Sequence, residues 1–160
     1  MTSDQPAGRI KRGATGFQDR RSGSAPRVDP AAVRRACWAV AGPLRATAVE
    51  AGPGYPASFT CTELRAFDGR LLAVVVAHLL LPIVTLAAAS PVFGDAPKAL
   101  VPQPAWAEDF VVAGFQVLDD AALRTPLREV DLSALPVIER KPIRRWKPAV
   151  LGELLFNWWD

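Results

Sequence analysis

Residues 71–93 read LLAVVVAHLLLPIVTLAAASPVF, and the way this stretch folds decides the architecture of the chain. It contains no Asp, Glu, Lys or Arg, and His78 is its one basic side chain. Drawn as a helix, residues 71–89 rise about 1.5 Å each and span about 28 Å, close to the hydrocarbon thickness of a bilayer. Arg65 and Arg70 precede the run, and Asp95 and Lys98 follow it. The excess of positive charge on the N-terminal side would place that end in the cytoplasm. Buried strands fit the same residues. Val74, Val75 and Val76 are β-branched, Asp68-Gly69 is a hairpin-turn signal, and Pro82 ends a strand naturally. Continuous uncharged length beyond eighteen residues favours the membrane helix. The expectation is therefore an α+β chain with a single transmembrane helix at residues 70–93, and buried core strands are the alternative.

N-terminal to this run, residues 29–69 read as a helix followed by strand. Asp29 is a good cap and Pro30 suits the first helical position, so a helix runs from there through Trp38 to Gly42-Pro43. The stretch SFTCTELRAF, residues 58–67, is rich in strand formers and leads into Asp68-Gly69. Residues 1–28 are rich in Gly, Ser, Arg and Pro, with Ile10 and Phe17 as isolated large apolar groups. Burial of so little apolar surface does not offset the entropy of ordering, so a disordered basic arm is expected there.

Charge follows the same division. Residues 1–36 hold eight Lys or Arg against three Asp, a net of +5. Residues 71–160 hold eight basic and ten acidic groups, a net of −2. A basic arm is attracted alike to nucleic acid, anionic lipid and acidic protein surfaces.

C-terminal to the apolar run, residues 94–160 form a small module. Residues 110–118, FVVAGFQVL, read as a strand, with residues 127–133 as its partner in a small strand pair. Lys147-Pro148 opens a last amphipathic helix over residues 148–159. In it Leu151, Leu154, Leu155 and Trp158 share one stripe, and Trp159 lies beside them. Ahead of that helix stands a basic cluster, Arg140, Lys141, Arg144, Arg145 and Lys147, around Trp146. Cations interleaved with an aromatic suit nucleic-acid phosphates or an anionic lipid surface, and a solvated loop or a protein partner is favoured over nucleic acid. These eleven residues are the candidate partner-binding set.

No motif carries chemistry. Cys37 and Cys61 form neither a CxxC nor a zinc spacing, and His78 has no second histidine or nearby carboxylate to make a metal site or a general base. Glu108-Asp109 and Asp119-Asp120 read as cap and turn residues. The pattern points away from an enzyme and calls for no cofactor. The expected function is a non-enzymatic accessory or interaction protein, a single-pass membrane subunit of a larger complex with a cytoplasmic N-terminus. A cytoplasmic, soluble α+β interaction module is the first alternative. A nucleic-acid-associated protein using the arm and the 140–147 cluster is the second. A protein is the favoured partner, ahead of a membrane or nucleic acid.

Overall fold

Asp68 and Gly69 close a tight hairpin. Gly69 has φ +90°, a left-handed conformation that glycine adopts without strain, and the Asp68 carboxylate accepts from the Arg70 N–H at 3.0 Å. The strands on either side are β2 (Phe59–Ala66) and β3 (Leu71–His78), paired antiparallel. These elements belong to a computed structural model that describes residues 8–18, 27–53 and 56–159.

The apolar run then turns back on itself. His78 Nδ1 accepts from the N–H groups of both Leu80 and Leu81 at 3.1 Å, fixing a bend, and β4 (Ile83–Ala87) returns antiparallel along β3. The expected transmembrane helix is therefore corrected: residues 71–87 form two strands. Among the described residues, no helix is long and apolar enough to cross a membrane. The physical reason is the double covering of the sheet. A strand buried on one face alternates apolar with polar, whereas one buried on both faces reads as an unbroken apolar run. Val74 and Val76 face one core with Phe59, Leu154 and Phe156, while Val75 and Ala77 face the other with Val40, Leu64 and Phe110.

Five strands form the sheet in the order β1-β2-β3-β4-β5, with β1 (Ala46–Gly52) at one edge. At the other edge β5 (Gln116–Val117) runs parallel to β4. One face is covered by α1 (Pro30–Ala41), which Asp29 caps through a 2.9 Å bond from the Ala31 N–H, and by α2 (Glu108–Val112). The other face is covered by α3 (Asp120–Leu123), α4 (Val137–Trp146), α5 (Leu151–Leu155) and residues 8–18.

Three further expectations change. The strand pair of residues 110–118 and 127–133 reduces to the two residues of β5. Glu108 and Asp109 stabilise the first turn of α2, and Phe110 buries from that helix, so most of the β-branched stretch is helical or turn. Residues 127–129 form one 3-10 turn. The C-terminal helix is shorter than residues 148–159: α5 begins at Leu151 and stops at Leu155, and residues 156–159 belong to no helix or strand, the Asn157 side chain and backbone bonding to Thr15 O, Leu154 O and the Ser58 hydroxyl. The disordered arm does not extend over residues 8–18, where Ala14 and Thr15 are buried. Nor does it include Val28, whose N–H donates to Leu79 O at 3.2 Å, and residues 1–7 and 19–26 of the arm expected over 1–28 lie outside the described residues.

Candidate interaction surface on α4

Helix α4 begins after Pro136 and ends where Lys147 enters the left-handed region at φ 49°, its N–H bonded to Ile143 O at 2.9 Å. Pro142 lies inside the helix. Its missing N–H weakens the ladder, and tertiary contacts hold the helix in place. Ile143 packs against the core and Glu139 is fully buried.

Glu139 is the centre of a polar network that sequence reading misses. Its Oε2 accepts from the Gly13 N–H at 2.9 Å, and its Oε1 accepts from the Thr15 N–H at 3.0 Å and the Thr15 hydroxyl at 2.8 Å. Next to it, His78 Nε2 contacts Ala14 O at 2.8 Å. Two N–H groups already donate to Nδ1, so the ring is neutral with its proton on Nε2. Burial pushes this imidazole down to about 4, the bond to Ala14 opposing. Asn157 Nδ2 donates to Thr15 O at 2.9 Å and to Leu154 O at 2.8 Å. Ser58 joins the C-terminal segment by donating to Leu155 O at 2.7 Å and accepting from the Asn157 N–H. Among the described residues no buried side-chain nitrogen or oxygen lacks a partner. Gly16, at φ +83°, passes Ser58 so closely that a Cβ there would lie 2.9 Å from Ser58 Cβ. The segment is thus clamped at four successive residues, and Phe17, next along, is delivered to the side of α4.

The predicted basic cluster comes together on this helix. Arg140, Lys141, Arg144, Arg145 and Lys147 are all exposed, and Trp146 is 43% exposed. The Arg145 guanidinium lies 5.3 Å from the Trp146 ring centroid, and Trp159 lies parallel to Trp146 with centroids 6.4 Å apart and planes 2° apart. Between Phe17 and α4 an open groove of about 490 Å³ is walled by Ile138, Pro142 and Trp146, with Lys141 and Arg145 at its rim.

The remaining predicted contacts separate from this surface. Leu154 and Leu155 are buried in the core, and Leu151 packs against it half-buried. Trp158 packs edge-on against Phe59 at 5.1 Å and tilted against Phe93 at 5.3 Å, donating its indole N–H to Asp95 O at 3.1 Å. Of the C-terminal candidates, Trp159 stacks on the exposed Trp146 of the basic helix, while Leu151, Leu154 and Leu155 pack in the core that also receives Ile143.

Burial pushes the Cys37 and Cys61 thiols up to about 11, with a Thr62 hydrogen bond partly opposing this at Cys37. Among the described residues no group of three His, Cys, Asp or Glu side chains is placed to hold a metal ion. Comparison of the chain with protein-family models, with curated proteins and with solved structures found no match. The functional reading therefore rests on the residues themselves.

Proposed function

We propose that this protein is a non-enzymatic interaction module that docks an anionic partner on α4. One observation carries the reading: among the described residues, none of the five cations of residues 140–147 has a carboxylate within 4.0 Å. Elsewhere, Arg34, Arg35, Arg65, Arg70 and Arg124 each have one, and Arg27, Arg45 and Lys98, which like the α4 cations have none, stand singly along the described chain rather than as a cluster. The one carboxylate of the helix, Glu139, is turned inward onto Gly13 and Thr15. The helix therefore presents an uncompensated positive field. Arg144 and Arg145 also complement the negative end of the helix dipole, but Arg140 and Lys141 lie a turn earlier. His78, Glu139, Cys37 and Cys61 are buried, away from this surface.

The test compares two fourfold charge reversals of equal net change. In one, Arg140, Lys141, Arg144 and Arg145 become Glu. In the other, Arg34, Arg35, Arg70 and Arg124 become Glu. The salt concentration that elutes each from a polyanionic matrix is measured. The α4 variant is expected to lose retention while the control keeps most of it. Equal losses would mean that net charge alone governs binding, and the reading would fall.

A further inference from the structure

We infer that the groove beside α4 takes an acidic protein segment carrying an apolar or aromatic anchor residue. The inference rests on the proposal that α4 is the anionic docking surface, and it names the partner chemistry for that surface.

Charge complementarity sets the sign. Lys141 and Arg145 are four residues apart on one stripe of α4 and stand at the rim of the groove, with Arg140 and Arg144 flanking them one residue earlier. The walls set the second requirement. Phe17, Ile138, Pro142 and Trp146 are apolar, and Val137 beside them is 54% exposed. Ion pairing at an exposed rim is worth little by itself, whereas an apolar side chain seated among these walls gains from burial. A ligand that satisfies both is acidic outside and apolar at one point.

The arrangement of Trp146 weighs against a nucleic acid. Non-specific binding of single strands uses free aromatic faces on which bases stack. Here the indole is already engaged by the parallel ring of Trp159 and by the guanidinium of Arg145. The same contact holds Arg145 in place, with its planar fork suited to an oxyanion, carboxylate or phosphate alike. The opposite wall is fixed too. The Phe17 N–H donates to the Thr15 hydroxyl at 3.4 Å, and that hydroxyl donates to Glu139. A groove whose walls are held before the ligand arrives loses less entropy on binding.

The test uses the full chain and fluorescence anisotropy with four labelled probes: a glutamate-rich peptide with a central Leu-Phe pair, the same peptide with Ala-Ala there, poly-glutamate, and a thymidine oligonucleotide. The anchored peptide is expected to bind at least tenfold tighter than its Ala-Ala version and tighter than the oligonucleotide. Phe17→Ala and Ile138→Ala, each checked for native circular dichroism, should each shrink that preference severalfold, read as the ratio of the two peptides' affinities. Equal binding of the two peptides would overturn the anchored groove but leave the anionic surface standing. Tighter binding of the oligonucleotide, lost on reversing the α4 charges, would overturn the protein partner and keep the surface. Binding of none of the four would overturn both.

Discussion

Glu139 Oε1 accepts hydrogen bonds from both the N–H and the hydroxyl of Thr15, 124 residues away along the chain. This one contact ties the N-terminal segment to the helix that carries the cations. Glu139→Ala would leave three buried donors, the Gly13 N–H, the Thr15 N–H and the Thr15 hydroxyl proton, without their acceptor. Stranding a buried donor costs about 1–3 kcal/mol, so a loss of about 3 kcal/mol is expected in chemical denaturation. Trypsin should then cut faster at Lys11 and Arg12. Unchanged stability and unchanged cleavage would show that the clamp does not hold residues 8–18.

His78 supplies a pH dependence with a definite sign. Its imidazole titrates at about 4 when folded, against an ordinary value of 6.5, so the unfolded chain binds the proton more readily. Stability is therefore complete above pH 6.5 and falls as the pH drops from 6.5 toward 4, by on the order of 3 kcal/mol across that window. It is the one histidine in the sequence, so the upper part of the slope belongs to it. Denaturation midpoints measured between pH 7.5 and 5 should fall in the wild type and stay nearly level in His78→Gln. Parallel curves for the two proteins would refute this.

The C-terminal helix face belongs to the core. Leu154→Ala should cost about 2–5 kcal/mol, as buried leucine truncations do, and lower the melting temperature of the isolated protein. Glu153 is exposed, yet its Oε2 accepts from the Ala149 N–H at 2.7 Å ahead of α5, so Glu153→Ala should cost about 0.5–1 kcal/mol as a lost cap does. If Leu154→Ala melted like wild type, the packing described for α5 would be wrong.

Both thiols should be inert in the native state. The reactive species is the thiolate, and burial holds both Cys37 and Cys61 near 11. A disulfide-exchange reagent at pH 8 should titrate neither group in folded protein and both in denaturant. Rapid native-state modification of either would contradict its burial.

Much of the local structure was legible in advance. The Asp29-Pro30 start of α1, the β2 strand and the Asp68-Gly69 turn each announce themselves within a few residues, because capping and turn chemistry are local. The β3–β4 hairpin was not separable from a helix. When both faces of a strand are covered, period-2 alternation vanishes and composition alone remains. In the same way, FVVAGFQVL looked like strand because of its valines, but Glu108, Asp109 and the burial of Phe110 made its first half helical. The cations of the candidate surface were plain in the sequence. Glu139 was not, since it sits between Ile138 and Arg140 and its partners lie at Gly13 and Thr15. Nothing local distinguishes it from a solvated carboxylate.

The location of the binding surface is the central claim, and amide hydrogen exchange of the full chain with and without a glutamate-rich peptide tests it most directly. Slowed exchange is expected in residues 137–147 and at Phe17, with the β3 and β4 amides already protected and unchanged. Protection appearing instead at the β1 edge or around Trp38 on α1, with residues 137–147 unaffected, would contradict the account.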